Sequence, residues 1–472
     1  MAGYLKRYYY RRTMIPRVLL ILFLAVSQIP VSADLKRDAV QAIERGVKFF
    51  PSTSIEGGYG WFVTPDLSQR WGEGILDDRT VEVQPPGTPT VGMTLMRAFD
   101  VTEYTTAFRL AKATAAAVIS GQNDLGGWGH VIAFDLPKPK VVSFDDDQTQ
   151  TAMSFLMAYE QKFADDAVWA AVEKGLNLMT GSQLNNGGWP HRYPKQNNYH
   201  DYATFNDEGI NDCIRLMIEA DNYYTNSQLR SSLSRVARFL MVSQLPPPQS
   251  GWAQQYNEHL QPAWARSFEP PSVCPQVTLN NLNSLMDLAV HLDNRDYLEP
   301  IHDSLRWLDE VQLPNGLWAR FIEIGTGDAL YYDLGRIRVN SPEELSEERR
   351  LGYGYQTDLS DKLDQVRKRF ASLWNSGKDL DPLEDRDPAE RLAELEAEVT
   401  AIIAAQDKKG GWITKDDKYK KRIPGQPWNG EWEVQDRISS KVFVDNINTL
   451  ADYIELAEEL QTWKGLRGKR GE

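Results

Sequence analysis

Apolar residues recur along this chain with the spacing of amphipathic helices, and the helical segments come in pairs. The first helical face is marked by Leu35, Val40, Ile43, Val47 and Phe50. Later pairs are predicted over 150–163 with 166–183, 207–221 with 227–244, and 279–292 with 296–312. Each second helix ends in a turn where glycine supplies a positive φ. The pattern predicts an all-α protein built from helical hairpins.

A glycine-tryptophan turn closes most of these hairpins. The tryptophans that share this context are Trp61, Trp128, Trp189, Trp252, Trp318 and Trp412. Their spacings are 67, 61, 63, 66 and 94 residues, and a glutamine usually stands a few residues before the turn. Such a period exceeds that of common solenoid repeats and suits a hairpin plus a long loop. The repeat predicts an α/α toroid with long rim loops and few short strands, in which the tryptophans wedge between hairpins.

The first 33 residues have the features of a secretory signal peptide. A basic leader over 6–17 precedes an apolar run over 18–26, and Val31-Ser32-Ala33 resembles a cleavage site. An uncleaved anchor is the alternative, although no later stretch approaches about 18 apolar residues. We therefore expect one toroid domain over 34–463 and a basic tail over 464–472. The mature protein is expected to be secreted or periplasmic, monomeric and without a stable membrane anchor.

Composition narrows the range of functions. The 472 residues carry a formal net charge of −14, which disfavours nucleic-acid binding because that needs clustered lysine and arginine. Only Cys213 and Cys274 are present, so disulfides do not organise the fold, and Cys213 is predicted to be a core thiol. The sequence has no His-Glu-x-x-His, Cys-x-x-Cys, phosphate-binding glycine loop or Gly-x-Ser-x-Gly. Zinc, nucleotide and serine-hydrolase chemistry are therefore disfavoured.

Two acidic clusters stand almost one repeat apart. The first spans 145–147, and the second spans 206–208, beginning the next unit. Because equivalent positions in successive hairpins of a toroid are neighbours at the rim, these clusters are expected to face each other. Converging carboxylate oxygens suit Ca²⁺, with Asp145, Asp146 and Asp207 as candidate ligands. The alternative is that the aspartates cap helix N-termini.

The tripeptide Trp-Ala-Arg occurs twice, ending at Arg266 and Arg320. An acid follows each arginine three residues later, at Glu269 and Glu323. Arginine binds carboxylates in bidentate geometry, so two arginines and a cation on one rim would form a pocket for an acidic polymer. The alternative is two structural Arg–Glu salt bridges.

Several of these strings resemble the pectate lyases of polysaccharide lyase family 10. Gly-Gly-Trp-Pro-His-Arg-Tyr-Pro at 187–194 is similar to the family's Gly-Gly-Trp-Pro-x-x-Tyr-Pro, and Thr-Phe-Asn-Asp at 204–207 matches its block. Further similar blocks follow in the same order at 262–271, 317–323 and 332–334. The resemblance covers a core of about 140–360, whereas the outer hairpins are covered by the repeat alone.

The resemblance implies an enzyme that cleaves polygalacturonate by calcium-assisted β-elimination. The implied site consists of Arg266 as the base, Arg320, Asp145, Trp189 and Tyr193 for substrate, and Asp145, Asp146 and Asp207 for Ca²⁺. Crowding by Ca²⁺ and Arg320 is expected to lower the pKa of Arg266. The chain departs from the family at 145–149, where Asp-Asp-Asp-Gln-Thr stands in place of Asp-Asn-Gly-Ala-Thr.

Three other functions fit parts of the sequence. Terpene cyclases are also α/α toroids with similar repeats, and the aspartates at 145–147 could imitate their initiating motif. An inverting glycosidase would use Asp145 and Asp207 as two carboxyl groups about 6.5–9.5 Å apart. A carbohydrate-binding toroid without catalysis is the third possibility.

Overall fold

The computed structural model describes residues 33–379, 387–421, 428 and 430–468. The predicted signal peptide therefore lies outside the described residues, except for Ala33, where the first helix begins. The last helix extends to Gly468, into the segment for which the sequence predicts a tail. Within the part of the chain that the structure describes, no helix combines the length and apolar character needed to cross a bilayer.

The described residues contain thirteen α-helices, and most of the chain's regular structure is helical. They are α1 (Ala33–Phe49), α2 (Thr88–Thr102), α3 (Thr105–Gly121), α4 (Gln148–Phe163), α5 (Asp166–Gly181), α6 (Gly209–Tyr224), α7 (Ser227–Ser243), α8 (Pro275–Leu292), α9 (Ile301–Glu310), α10 (Glu347–Gly352), α11 (Ser360–Ser376), α12 (Pro388–Ala405) and α13 (Ser440–Gly468). The three helix pairs predicted from the sequence are confirmed, with ends that shift by up to five residues.

The helices form two concentric layers. Inner helices pack on one another in the order α13, α2, α4, α6, α8 and α11, and the outer layer includes α12, α1, α3, α5 and α7. The N-terminal helix α1 packs against the C-terminal helix α13, so the two ends of the described chain meet in one wall. This arrangement confirms the predicted α/α toroid.

The strands are mostly two or three residues long and connect the rim loops. They are β1 (Phe62–Val63), β2 (Arg70–Trp71), β3 (Ile75–Leu76), β4 (Thr80–Glu82), β5 (Val131–Ala133), β6 (Val142–Ser143), β7 (Arg192–Tyr193), β8 (Ala203–Thr204), β9 (Gln255–Tyr256), β10 (Trp318–Ala319), β11 (Tyr331–Asp333), β12 (Ile337–Val339), β13 (Gln356–Thr357), β14 (Ile413–Lys420) and β15 (Trp432–Ser439). One sheet has five strands in the order β14-β15-β1-β2-β3, and the β14–β15 hairpin is its longest part.

The glycine-tryptophan turns lock neighbouring hairpins together, as the repeat predicts. Trp128 and Trp189 are fully buried, and their indole N–H groups donate to the carbonyls of Val118 and Met179 at 2.8 and 2.9 Å. The preceding glutamine links its own turn to the next outer helix, as when Gln122 donates to the carbonyls of Gly126 and Ala171. Each turn thus satisfies its own polar groups and those of its neighbour.

The first turn corrects one prediction. Trp61 is only half-buried and donates to the carbonyl of Gln84, whereas Tyr59 is 2% exposed. Tyr59 follows Gly57, whose φ is +84°, as Trp128 follows Gly126, whose φ is +103°. Tyr59 therefore takes the place of the wedge residue in this unit, because burial selects a large aromatic ring rather than indole alone.

We expect alanine at Gly126 to destabilise the protein more than alanine at Gly316. Both glycines have positive φ, which costs an alanine about 1–2 kcal/mol. A Cβ on Gly126 would also stand 2.5 Å from the carbonyl oxygen of Lys174 in α5, whereas nothing lies within 4 Å at Gly316. Urea unfolding should show a loss of about 3 kcal/mol or more for Gly126→Ala. Equal losses for the two variants would contradict this account of the turn.

Candidate active site

Short antiparallel ladders position the rim loops that carry the predicted site. β6 pairs with β7, and β8 pairs with β9. Beyond these pairs, the N–H of Phe144 donates to the carbonyl of His191, and that of Phe205 donates to the carbonyl of Gln254. The two acidic segments, 145–147 and 206–208, are thereby fixed at the N-terminal ends of the adjacent inner helices α4 and α6.

Asp145, Asp146 and Asp207 form a cluster, called here the aspartate cluster. One carboxylate oxygen from each lies within 4.8 Å of the others. The left-handed backbone at Asp146 and Asp207, with φ of 50° and 44°, is uncommon for residues other than glycine and tends to occur at functional sites. The sequence prediction that two loops one repeat apart converge is borne out by this geometry.

Helix capping does not account for the acidic segments. Asp147 and Glu208 occupy the N-cap positions of α4 and α6, yet neither side chain makes a capping hydrogen bond. Both residues have left-handed backbone geometry, whereas a capping residue typically has an extended one. The alternative that the aspartates cap the helices is therefore wrong for Asp147, the one aspartate at an N-cap position of α4 or α6.

Crowding of negative charge shifts the pKa values in the aspartate cluster. Burial and the carboxylates of Asp145 and Asp207 raise the pKa of Asp146 to about 7. Burial and Asp145 also raise the pKa of Asp207. Burial would raise the pKa of Asp145, but His191, Asn206 and Arg266 outweigh it and lower that pKa. The raised pKa values of Asp146 and Asp207 indicate that the neighbouring positive groups do not neutralise the negative charge of the cluster.

Two buried oxygen atoms at the aspartate cluster lack hydrogen-bond partners. Oδ1 of Asp145 and Oδ1 of Asn206 are buried and accept no hydrogen bond from the described residues. Orphaned buried acceptors are costly unless an ion or ordered water serves them. Three converging carboxylates, one of them with an unsatisfied oxygen, and the unsatisfied amide oxygen of the neighbouring Asn206 are a donor set that suits a hard divalent cation. The residues present therefore fit a metal ion at the aspartate cluster.

Arg266 is paired with Glu269, as the salt-bridge alternative proposes. Its Nε and Nη2 donate to Oε2 and Oε1 of Glu269 at 2.9 and 2.6 Å. Burial by itself lowers the pKa of Arg266, but the pair with Glu269 outweighs it and raises the pKa above its ordinary value. Glu269 is the charge that dominates here, and the expectation that Ca²⁺ and Arg320 lower this pKa stays a prediction.

Arg320 is not paired with Glu323. Glu323 instead accepts hydrogen bonds from Arg338 at 2.7 and 3.3 Å. The guanidinium of Arg320 stacks 4.3 Å from the ring centre of Tyr353, and its Nε is buried and has no partner among the described residues. The structural salt bridge that the sequence allows is therefore absent here, and Arg320 keeps donors for another carboxylate.

The two arginines and the aspartate cluster share one electrostatic environment. The positive charges of Arg320 and Arg266 both act to lower the pKa of Asp207. Tyr353 connects the two arginines. Its hydroxyl donates to Oε1 of Glu269, the partner of Arg266, at 2.5 Å, and the guanidinium of Arg320 stacks on its ring. Arg266 and Arg320 thus act electrostatically on the aspartate cluster, and Tyr353 links the two arginines through Glu269.

Trp189 is a correction to the predicted substrate-binding set. It is fully buried, and its indole is engaged with Met179, so no face of the ring can contact a sugar. Its burial fits the structural role that the repeat predicts. Tyr193 lies in β7, is half-buried and packs against the core, so its role in substrate binding stays a prediction.

Sequence reasoning missed three polar residues of the site. His191 is 2% exposed, its Nδ1 lies 3.7 Å from Oδ2 of Asp145, and its Nε2 lies 3.0 Å from Oε1 of Gln255. It stands in the block at 187–194, so the motif held a signal for it. Gln255 and Tyr353 carried no comparable signal, because each is recognised only through contacts with distant residues.

An open groove of about 450 Å³ adjoins Arg266 along the chain. Trp264 forms part of its wall, and the guanidinium of Arg336 lies 4.5 Å from the ring centre of that tryptophan. The remaining lining residues are Tyr199, Tyr202, Pro262, Ala263, Ala265 and Pro271. Aromatic rings with a cation beside them suit the faces and carboxylates of acidic sugars.

Comparison with known proteins agrees with the resemblance inferred from the sequence. Residues 137–316 match the family model described as pectic acid lyase. The match includes Asp145, Asp146, Asp207 and Arg266, and it ends before Arg320. It confirms the predicted resemblance and the predicted enzyme class, a polysaccharide lyase. No curated protein matches the sequence significantly.

Several solved structures are similar to this chain. A mutant of the family 10 polysaccharide lyase from Cellvibrio cellulosa, in complex with trigalacturonic acid, is 18% identical, with a TM-score of 0.50 over 59% of this chain and 98% of that chain. Another structure of the Cellvibrio lyase is 18% identical, with a TM-score of 0.49 over 59% and 97%. A sugar epimerase from a ruminal bacterium is 10% identical, with a TM-score of 0.48 over 88% and 98%.

Proposed function

Because residues 137–316 match the family model described as pectic acid lyase, we propose that this protein cleaves polygalacturonate by calcium-assisted β-elimination after export from the cell. The observation that supports the proposal most is the convergence of three aspartates whose charge is influenced by Arg266 and Arg320. Export rests on the signal-peptide pattern of the first 33 residues.

β-Elimination requires a base to accept a proton and a positive charge to stabilise the intermediate. β-Elimination removes the proton at C5 of a uronic acid, breaks the C4–O bond to the next sugar and leaves a C4=C5 double bond, while the departing oxygen gains a proton. Negative charge builds up on the substrate carboxylate as C5 loses its proton. A preformed positive site stabilises that charge.

Arg320 is the residue we assign to the substrate carboxylate. Its Nε has no partner among the described residues, and the ring of Tyr353 fixes the guanidinium plane. Asp145, Asp146 and Asp207 would hold Ca²⁺, which when bound supplies a second positive charge beside the carboxylate. The close spacing of these acids suits a shared cation better than the wider separation of an inverting glycosidase.

Arg266 is the residue we assign as the base. In the described conformation its Nε and Nη2 are held by Glu269, so the guanidinium is oriented, and its side chain remains 42% exposed toward solvent. Proton transfer requires a neutral guanidine, which the pair with Glu269 opposes. Activity is therefore expected to rise with pH through the alkaline range.

Incubating the mature protein with polygalacturonate tests the proposal. With about 1 mM Ca²⁺, since exported calcium sites can be weak, we expect ultraviolet absorbance from an unsaturated product. A chelator should abolish it, and added Ca²⁺ should restore it. Release of reducing ends without unsaturated product would identify a hydrolase, and binding without either product would identify a carbohydrate-binding protein.

A further inference from the structure

The β14–β15 hairpin presents an exposed face of lysines and tryptophan that the proposed reaction does not use. Lys418 pairs in register with Val434, and Lys420 pairs with Trp432. Residues directly opposite each other in an antiparallel ladder share one face. Trp432 is 45% exposed and Val434 is 60% exposed. We call Lys418, Lys420, Trp432 and Val434 the hairpin face.

The lysines of the hairpin face differ from the other lysines of the hairpin. Lys415 is paired with Asp436, and Lys421 with Glu431. Among the described residues, Lys418 and Lys420 make no ion pair, and their ammonium groups lie 4.9 Å from the ring centres of Trp432 and Trp428. Two cations without counter-charges, on a chain whose formal net charge is −14, are available to an external anion.

The hairpin face continues toward the candidate active site. A Cβ on Gly352, at the end of α10, would stand 3.2 Å from Nζ of Lys420. The next residue is Tyr353. The guanidinium of Arg320 stacks on its ring, and its hydroxyl donates a hydrogen bond to Glu269. Arg349, also in α10, stacks 4.0 Å from the ring centre of Phe268. Lys420 thus lies beside the residue that precedes Tyr353, on which Arg320 stacks. We call Arg266, Arg320 and Tyr353 the arginine pocket.

We propose that the hairpin face is an additional binding surface for the acidic polysaccharide chain that extends from the arginine pocket. This inference rests on the proposed function. Exposed indole stacks on the apolar face of a sugar ring, and the free ammonium groups match carboxylates repeated along the polymer. The hairpin lies outside the segment that matches the pectic acid lyase family, so the surface would be a feature of this chain's outer portion.

A paired lysine exchange tests the surface. We expect Lys418→Gln/Lys420→Gln to raise KM for long polygalacturonate about 10-fold, to leave KM for trigalacturonate unchanged, and to weaken the salt dependence of polymer binding. The matched control is Lys415→Gln/Lys421→Gln, which removes the same charge from the ion-paired lysines of the hairpin. Equal effects of the two double variants would overturn the inference.

Direct binding separates this inference from the proposed activity. Affinity electrophoresis in polygalacturonate measures binding without turnover. A wild-type protein that binds the polymer but forms no unsaturated product would refute the proposed lyase activity and would support the hairpin face as a binding surface if Lys418→Gln/Lys420→Gln weakened that binding. Trp432→Ala should weaken binding of both polygalacturonate and its fully methyl-esterified form, because stacking needs no charge. A wild-type protein that is active while Lys418→Gln/Lys420→Gln retains its affinity would refute the surface alone.

Discussion

Replacing Arg266 by alanine is expected to lower kcat on polygalacturonate about 1,000-fold, within the range that a positioned base contributes. The control is Arg306→Ala in α9, because Arg306 forms an i,i+3 pair with Asp303 at the exposed surface and the proposal gives neither residue a role. Initial rates of unsaturated product formation at saturating substrate measure both. Retention of more than about a tenth of the activity by Arg266→Ala would exclude this residue as the base.

Folding must be separated from chemistry in this test. Arg266→Ala leaves Glu269, which is 2% exposed, with a buried charge that has lost its guanidinium partner. Breaking a buried pair typically costs about 3–5 kcal/mol, and the partial exposure of Arg266 reduces that cost. The double variant Arg266→Ala/Glu269→Gln removes the stranded carboxylate. It should recover stability in urea unfolding while remaining inactive.

Glu269→Gln alone reports on the protonation of Arg266. Glu269 raises the pKa of Arg266, so the neutral guanidine becomes more accessible at lower pH when the carboxylate is removed. If Arg266 is the base, the alkaline rise of kcat should move to lower pH in this variant. A merely structural role for the pair would lower kcat by the same factor at every pH.

The architecture could be predicted because its information is local and repeated. A glycine with positive φ, an aromatic wedge and a glutamine recur in most units, so similar contacts recur around the ring. The proximity of Asp145 and Asp207 followed from the same periodicity, since one repeat along the chain corresponds to one step around the toroid. Tyr59 does not fit a Gly-Trp repeat, whereas the packing requires only a large aromatic ring at that position.

The charge state of the site could not be predicted in the same way. Arg266 and Arg320 occupy similar tripeptides, yet one binds the acid three residues later and the other stacks on Tyr353. That difference depends on which distant side chain reaches each arginine, and Tyr353 comes from a loop beyond the repeat. The β14–β15 hairpin was missed for a related reason, because strands with polar residues on both faces carry a weak alternating pattern.

Asp207→Asn is expected to weaken Ca²⁺ binding by about 10–100-fold, because ligand charge sets the affinity of such sites. Asp207 contributes one of the three converging carboxylates, and amide oxygen cannot replace its charge. Titration calorimetry on the folded variant measures this directly, with Asp303→Asn in α9 as the control. Because the substrate carboxylate is expected to need the same cation, activity at limiting Ca²⁺ should fall in parallel and recover partly as Ca²⁺ is raised.

Asp146→Asn completes the comparison, because it restores the Asp-Asn pair typical of the family. The pKa of Asp146 is raised to about 7, so near neutral pH this carboxylate is only partly ionised in the metal-free protein. We therefore expect Asp146→Asn to weaken Ca²⁺ binding less than Asp207→Asn does at pH 7. The difference in Ca²⁺ affinity between the two variants should narrow as pH rises, because Asp146 then ionises fully in the wild-type protein. Calorimetry at pH 6, 7 and 8.5 measures the trend. Unchanged Ca²⁺ affinity in both variants would show that the aspartate cluster does not hold the ion, and would remove the main support for calcium-assisted elimination.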